Sequence, residues 1–311
     1  KDYGTAVGAN AHVSGDYAVA IGEAAAQDYS VAIGYKATSY KNSDNGYGTA
    51  VGTLSSAGDY ATSLGYGVTA NGTKATGIGK SANASGEETT AVGTTSSAFS
   101  KYSVAVGANS VAGSGGGQGS SGEGQTAVGH KANATGTYSV AVGYDANTNG
   151  NNGVAIGQSA NTSAWKGVAI GYKANASGSA VDKDGNPADV NSLAIGNEAT
   201  ASTKNSIALG YNAKASGEDT IAFGREAGVS GIGSIGIGSQ ANVSGKNTVA
   251  IGQNTNGYGD NAVIVGTGSA ANTSSVVVGD AARADIKDSI VLGSGSRSAA
   301  NKNVTGYDPA G

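Results

Sequence analysis

Cysteine and methionine are absent from this sequence of 311 residues, which contains only two prolines, two histidines and one tryptophan. Without cysteine the chain can form neither disulfides nor thiolate metal sites, so its fold does not depend on the redox state of its compartment. The histidines, His12 and His130, have no nearby pattern of acid and nucleophile, and a catalytic dyad is therefore not expected. We predict a protein that is not an enzyme and that uses neither a cofactor nor a metal ion.

Charge is also scarce in this chain. Charged residues make up 13% of the sequence and the net charge is −4, so no basic patch is available for phosphate contacts and nucleic acid is not an expected partner. No apolar run approaches the roughly 20 residues that cross a membrane. The opening residues Lys1-Asp2-Tyr3 show no signal peptide, and we expect a soluble segment of a longer chain, without direct membrane contact.

Glycine is abundant, with 54 residues, and it marks a repeat. The segment Ser239–Gly252 recurs in twenty copies, and thirteen of the nineteen intervals between the copies are fourteen residues long. We call the glycine that closes each copy the marker glycine. The marker glycines are Gly8, Gly22, Gly34, Gly52, Gly65, Gly79, Gly93, Gly107, Gly129, Gly143, Gly157, Gly171, Gly196, Gly210, Gly224, Gly238, Gly252, Gly266, Gly279 and Gly293. A fixed period this short is typical of a solenoid, in which each unit buries its apolar face by stacking on its neighbours.

Large and small residues alternate before each marker glycine. Val249 and Ile251 are large and β-branched, whereas Ala250 between them is small, and a small residue stands at this middle position in seventeen of the twenty copies. Because positions two apart share one face of a strand, the pattern predicts a short strand with Val249 and Ile251 inward and Ala250 outward. A second glycine column lies seven places after the first and predicts a second short strand, each strand being ended by a glycine of positive φ.

The thin coil predicts assembly with other copies. Each coil would bury about two large aliphatic side chains and a few alanines, which contribute less than the conformational entropy lost on ordering the coil. We therefore expect a homo-oligomer of parallel rolls that meet over the small-residue face. In the last three copies Ile264, Val277 and Val291 occupy the small column, which predicts a more hydrophobic contact between subunits towards that end.

The repeat reads Asn205-Ser206-Ile207-Ala208-Leu209-Gly210 in one copy and Tyr29-Ser30-Val31-Ala32-Ile33-Gly34 in another. These residues resemble the head repeats of the YadA-like trimeric autotransporter adhesins, whose motif has the form Asn-Ser-Val-Ala-Ile-Gly. The resemblance covers residues 1–297 and implies an all-β fold, a left-handed parallel β-roll of about twenty 14-residue coils assembled as a parallel homotrimer. It also implies display on the bacterial cell surface, at a Gram-negative outer membrane, above a coiled-coil stalk and a β-barrel anchor. Residues 298–311 are expected to form a junction to a following neck, stalk or further domain.

Left-handed β-helix acyltransferases are the enzyme alternative for such an array. They repeat in hexapeptides and use a histidine site between subunits, whereas the period here is fourteen residues. The period therefore argues against them.

Three insertions interrupt the array, near residues 40–46, 113–123 and 179–190. Insertions in a solenoid map to loops that often lie on the binding face, so they are candidates for ligand specificity, the alternative being tolerated surface variation. Asp184-Gly185 is a hairpin turn signal, and the third insertion is expected to project as a small hairpin.

Four residues of the third insertion are candidate ligand-binding residues, namely Asp182, Lys183, Asp184 and Asn186. Their spacing begins like that of a calcium loop, but Pro187 stands where that loop requires glycine and Leu193 stands where it requires glutamate. No metal is expected at this position.

Tyrosine is the informative aromatic residue. Seven tyrosines lie five places before a marker glycine and are candidate ligand-binding residues: Tyr3, Tyr17, Tyr29, Tyr47, Tyr60, Tyr102 and Tyr138. Later in the chain asparagine or aspartate takes over this column, as at Asn205 and Asp219. Two interpretations stay open: the tyrosines cover strand ends or a seam between subunits, or they form a rigid aromatic surface for contact with a protein or glycan.

The function that the sequence favours is that of a surface adhesin head. Many weak, repeated contacts on three chains would give avidity without catalysis, and the family resemblance implies host extracellular matrix or host cells as the ligands. An alternative is attachment to other bacteria or to mucosal or salivary glycoproteins. A third hypothesis, of another class, is a structural spacer that displays another domain.

Overall fold

The computed structural model describes residues 3–40, 46–114, 122–178 and 190–298. Within these ranges the chain forms strands and turns but no helix, and so no helix that could span a membrane. The chain divides into two compact units, Lys1–Lys173 and Ala174–Gly311. The candidate residues Asp182, Lys183, Asp184 and Asn186, the predicted hairpin and residues 299–311 of the predicted junction lie outside the described ranges.

Each coil consists of one three-residue strand and one two-residue strand. The strands of the first unit are β1 (Thr5–Val7), β2 (His12–Val13), β3 (Val19–Ile21), β4 (Ala25–Ala26), β5 (Val31–Ile33), β6 (Thr38–Ser39), β7 (Thr49–Val51), β8 (Ser56–Ala57), β9 (Thr62–Leu64), β10 (Thr69–Ala70), β11 (Thr76–Ile78), β12 (Asn83–Ala84), β13 (Thr90–Val92), β14 (Ser97–Ala98), β15 (Val104–Val106), β16 (Val111–Ala112), β17 (Thr126–Val128), β18 (Asn133–Ala134), β19 (Val140–Val142), β20 (Asn147–Thr148), β21 (Val154–Ile156), β22 (Asn161–Thr162) and β23 (Val168–Ile170). The strands of the second unit are β24 (Asn175–Ala176), β25 (Leu193–Ile195), β26 (Thr200–Ala201), β27 (Ile207–Leu209), β28 (Lys214–Ala215), β29 (Ile221–Phe223), β30 (Gly228–Val229), β31 (Ile235–Ile237), β32 (Asn242–Val243), β33 (Val249–Ile251), β34 (Asn256–Gly257), β35 (Val263–Val265), β36 (Ala270–Ala271), β37 (Val276–Val278), β38 (Arg283–Ala284), β39 (Ile290–Leu292) and β40 (Arg297–Ser298).

Within each unit, every strand pairs in parallel with the equivalent strand of the next coil. Thr90 of β13 is level with Val104 of β15, and Val249 of β33 is level with Val263 of β35. Paired residues are one repeat apart in the sequence, so the residues of each sequence column lie above one another as a ladder. The predicted all-β fold, a parallel β-solenoid, is confirmed.

The direction of the alternating columns is the reverse of the prediction. Ala250 is fully buried, whereas Val249 is half-buried and Ile251 is 40% exposed. In all the described three-residue strands after β1, the middle residue is buried and its two neighbours are half-buried or exposed. The two strands of a coil are joined by tight turns, and the space between them is filled mainly by small side chains. Most of the large residues therefore point away from the coil.

The interior of each coil is built from four small columns. The first column is the middle residue of the three-residue strand. The second lies four places before the marker glycine, and the third and fourth lie three and five places after it. Alanine dominates these columns, with some serine and threonine, and several of their hydroxyls bond to turn carbonyls. Thr220 Oγ1, for example, donates to the Gly217 carbonyl at 2.6 Å. The core is therefore a narrow stack of methyl and hydroxymethyl groups.

Ile264, Val277 and Val291 lie in this interior and not on an outward face. The prediction that they mark a more hydrophobic contact between subunits is therefore wrong. Larger side chains are accommodated where an opposing position is smaller: a Cβ on Gly257 would lie 3.4 Å from Ile264 Cδ1. The volume of the interior is thus conserved while its residues vary.

The two glycine columns have different physical roles. Gly252 has φ of +140°, and a Cβ there would lie 2.3 Å from the carbonyl oxygen of Gly266 in the next coil. Gly72, in the second column, is not among the residues of positive φ, but a Cβ there would lie 1.8 Å from the Gly86 carbonyl oxygen. Prediction of a positive φ in the second column is wrong; glycine is needed there because stacked backbones approach closely.

Candidate binding surface

The seven candidate tyrosines lie in the turn that leads into the three-residue strand, and all of them are exposed. Their backbone is in the left-handed region, with φ of 52° at Tyr29 and 61° at Tyr102. This conformation directs the Tyr29 amide to the Asp16 carbonyl of the preceding coil, at 2.7 Å. A left-handed backbone costs about 1–2 kcal/mol for most residues and is adopted more readily by asparagine and aspartate. The turn geometry alone therefore does not select tyrosine.

Five of these tyrosines stack directly on one another. We call this set the tyrosine ladder: Tyr3, Tyr17, Tyr29, Tyr47 and Tyr60. Successive ring centroids are 5.0, 5.4, 5.0 and 5.1 Å apart, with interplanar angles of 12–19°. Offset aromatic pairs of this kind contribute about 0.5–1.5 kcal/mol each beyond their buried area. Stacking therefore offsets part of the cost of the left-handed backbone.

The tyrosine ladder ends at a pair of opposite charges. In the same column the next residues are Lys74 and Glu88, and the Lys74 ammonium donates to Glu88 Oε1 at 2.7 Å. Beside them Lys101 pairs with Glu87 at 2.9 Å and lies over the Tyr102 ring, 4.8 Å from its centroid. Tyr102 is thus separated from the ladder and meets a cation instead of another ring.

These ion pairs shift the pKa values of three side chains, Lys74, Glu88 and Lys101. The hydrogen bond from Lys74, reinforced by its charge, holds the pKa of the Glu88 carboxyl below its ordinary value, and Glu88 in turn raises the pKa of Lys74. The hydrogen bond to Glu87 raises the pKa of Lys101 above its ordinary value. Lys74, Glu88 and Lys101 therefore remain charged near neutral pH.

In the second unit, asparagine and aspartate occupy the column of the tyrosines. The Asn205 amide donates to Asp219 Oδ1 at 2.8 Å, and the Asn247 amide donates to Asn261 Oδ1 at 3.3 Å. A polar ladder with the same left-handed backbone therefore replaces the aromatic one. The change from aromatic to polar surface is a property of the side chains and not of the fold.

A second aromatic column follows the marker glycine at the opposite turn. Its tyrosines are Tyr35, Tyr66, Tyr144, Tyr172 and Tyr211. Lys36 lies over the Tyr35 ring and Lys173 over the Tyr172 ring, each 5.1 Å from the centroid. His130 stacks on Tyr144 at 5.3 Å. The sequence analysis did not predict the lysines of these pairs as site residues. Their position directly after a tyrosine could have indicated them.

The outward side of the two-residue strands is polar. The Asn133 amide donates to Asn147 Oδ1 and the Asn147 amide donates to Asn161 Oδ1, both at 2.8 Å. On the same side Thr135 Oγ1 donates to Asn149 Oδ1 at 2.9 Å. These bonds link successive coils along this surface.

The outward side of the three-residue strands is apolar, and we call it the aliphatic face. It is formed by the first and third residues of each of these strands, such as Val249 and Ile251. The exposure is greatest in β39, where Ile290 is 74% and Leu292 is 65% exposed. A row of exposed aliphatic side chains of this kind marks an interaction surface.

Ionisable side chains are dispersed over the described residues. No group of three or more histidine, aspartate or glutamate side chains in those ranges could hold a metal ion. His12 lies in β2 and His130 in the turn after β17, where it packs on an aromatic ring. The chemistry available on the described surface is hydrogen bonding, aromatic contact and ion pairing.

Stacked two-strand coils with small interiors and exposed columns at both turns define a parallel β-solenoid repeat protein. The family described as the YadA head domain repeat, in two copies, matches residues 1–22, 24–40, 70–94, 84–110, 120–146, 134–160, 190–213, 204–227, 230–255 and 270–296. These segments cover more than half of the chain, which therefore belongs to this family, as the repeat predicted.

Among solved structures, the chain is similar to the collagen-binding domain of the Yersinia adhesin YadA. The identity is 26% and the TM-score is 0.29, over 53% of this chain and 66% of that domain. The similarity thus spans slightly less than two thirds of the YadA domain. No curated protein matches the chain.

Proposed function

We propose that this chain is the adhesive head of a bacterial cell-surface protein, which assembles as a parallel homotrimer and binds by many weak, repeated contacts. The observation that carries this proposal is the repetition of exposed aromatic and polar columns on the stacked coils of each unit. Along a column the same kind of side chain recurs over several successive coils, so several contacts can form at once and the affinity multiplies. Membership of the YadA head repeat family supports an adhesin-type function.

The aliphatic face supports the homotrimer. Its side chains point away from the coil interior, and burying about two such side chains per coil against another subunit supplies apolar contact that the monomer lacks. Equivalent residues lie level in a parallel assembly, so each subunit would present the same ladder to its neighbours. We therefore still propose a homo-oligomer of parallel rolls, but the subunits meet over the large residues of the aliphatic face and not over the small-residue face.

Host extracellular matrix proteins and cell-surface glycans are the ligands that we propose. The test is a binding panel in which the purified protein is offered immobilised collagen, fibronectin, host glycans and whole bacterial cells. Concentration-dependent binding to a matrix protein or host glycan is the expected result. An assembly-deficient variant serves as the control, because avidity requires several chains.

The other outcomes of the panel identify the alternatives. Binding only to bacterial cells or to mucosal glycoproteins would favour a role in bacterial aggregation. Uniform absence of binding by the assembled protein would contradict the adhesive function and favour a spacer that displays another domain.

A further inference from the structure

We propose that the tyrosine ladder is a binding track for a linear, uncharged β-linked glycan that lies parallel to the stacking direction of the coils. The inference rests on the proposed adhesive function and names a ligand class and a location for it.

The ladder presents a continuous aromatic surface with polar tips. Its ring centroids are 5.0–5.4 Å apart, which exceeds the carbon contact distance of about 3.5–4.0 Å. The rings are therefore offset, and each leaves part of its face and edge open to a ligand. The apolar faces of sugar rings pack on aromatic rings, and the phenol hydroxyls can bond to sugar hydroxyls.

The spacing of the rings favours a glycan over a polypeptide. An extended peptide advances about 3.3–3.4 Å per residue and a polyproline helix about 3.1 Å, so neither keeps step with rings 5.0–5.4 Å apart. Pyranose units in an extended β-linked glycan repeat at close to the ring interval. One sugar can therefore meet each ring, and the five rings accommodate about five sugars.

The charges beside the ladder favour a neutral ligand. Among the described residues of these turns, no lysine or arginine precedes Lys74. The Lys74 ammonium is itself paired with Glu88. Sulfated or sialylated glycans would find no free cation among the described residues of these turns, so their charge would not be compensated there.

The backbone conformation indicates that tyrosine is present for its side chain. At the equivalent position in the second unit, Asn205 and Asn247 adopt the same left-handed conformation and add hydrogen bonds between coils. Tyrosine is the less favourable choice for this turn. The first unit thus has tyrosine where the backbone conformation favours asparagine. Residues that are unfavourable for their backbone conformation are typical of functional sites.

The test uses variants that keep the turn and remove the rings. In a triple variant, Tyr17→Asn, Tyr29→Asn and Tyr47→Asn install the residue that the second unit uses in this column. The matched control is Tyr138→Asn, since Tyr138 is equally exposed but belongs to no ring stack. The probes are neutral β-linked gluco-oligosaccharides from disaccharide to hexasaccharide, titrated calorimetrically against the assembled protein.

We expect affinity to rise with each added sugar up to the pentasaccharide and then to level off. The triple variant should lose about tenfold or more in affinity, while Tyr138→Asn should bind as the parent does. Sulfated oligosaccharides of the same length should bind more weakly than neutral ones.

Several results would overturn the glycan track. The proposal is wrong if affinity does not depend on glycan length, or if the triple variant binds as the parent does. It is also wrong if the protein prefers the sulfated probe, or if the parent binds matrix proteins but none of the neutral glycans. If the triple variant loses its assembled mass, the single variant Tyr29→Asn is measured; loss of assembly there would identify the ladder as a subunit seam. A different result tests the adhesive function: it is contradicted if the parent protein binds no member of the panel of matrix proteins, host glycans and bacterial cells.

Discussion

Val68 occupies the space that a side chain at Gly77 would need: a Cβ on Gly77 would lie 2.8 Å from Val68 Cγ1. Most coils have alanine at both of these interior positions. The second unit repeats the exchange, since a Cβ on Gly236 would lie 2.7 Å from Val229 Cγ2. The interior therefore tolerates changes that conserve the volume of the pair.

Single substitutions of the first pair should destabilise the protein, and the double substitution should not. Gly77→Ala overpacks the coil and is expected to cost about 1–3 kcal/mol, while Val68→Ala leaves a cavity and should cost a similar amount. The double variant restores the alanine pair of the other coils. Chemical denaturation at fixed protein concentration measures this cycle, and additive losses would contradict the pairing.

Gly252→Ala should be far more damaging than a change at Gly268. At Gly252 the added methyl group meets the Gly266 carbonyl oxygen and the backbone has φ of +140°. Gly268 has φ of 63° and nothing within 4 Å of the added atom, and Asn254 occupies the same column one coil earlier. Gly268→Asn is expected to be neutral or to stabilise by up to about 1 kcal/mol. Thermal unfolding of the two variants gives the comparison; similar losses would show that stacking distance is not the constraint.

A charge on the aliphatic face should disrupt assembly. Val278→Glu places a carboxylate among the exposed aliphatic residues of β37, and burying it against another subunit would leave an unpaired charge. Asn242→Glu, on the outward polar side of β32, is the matched control. We expect sedimentation equilibrium to give a trimer for the parent and for Asn242→Glu, and a smaller mass for Val278→Glu. A trimer of Val278→Glu would place the subunit contact elsewhere.

The Lys74–Glu88 pair should contribute a pH-dependent part of the stability. Because the pKa of Glu88 is lowered in the folded state, the contribution is complete above the ordinary carboxyl value of about 4.5 and is lost as the pH falls through the lower, folded value. Glu88→Gln should therefore be less stable than the parent near neutral pH and equal to it in acid. Denaturation midpoints across that range test the sign, and high salt should reduce the neutral-pH difference because the pair is exposed. A constant difference at all pH values would contradict this assignment.

The sequence predicted the period, the strands and the family because each depends on spacing along the chain. It did not predict the direction of the columns, since a strand that alternates Val249, Ala250 and Ile251 has the same period with either face inward. The deciding information lay in the second strand, where small residues also stand three and five places after the marker glycine. Two small columns facing each other leave no room for a large one, and Ala250 must therefore point inward.

The candidate site was predictable in part for a similar reason. A fixed column of tyrosines in a stacked repeat predicts a ladder, and Tyr17 and Tyr29 do stack. The left-handed backbone beneath them was not predicted, because tyrosine is not a residue typical of that conformation. Asn205 and Asp219 in the same column were the clue, since both residue types favour it.

The one-repeat register between coils has a consequence for how such proteins change over generations. Val249 is level with Val263 and Asn242 with Asn256, so the join between coils is made by equivalent residues on both sides. Duplication or deletion of whole repeats within a unit would recreate the same join, lengthening or shortening the stack by about 4.8 Å per coil. Reach from the cell and the composition of the surface can therefore vary independently under selection, by copy number in the first case and by point substitution in the second.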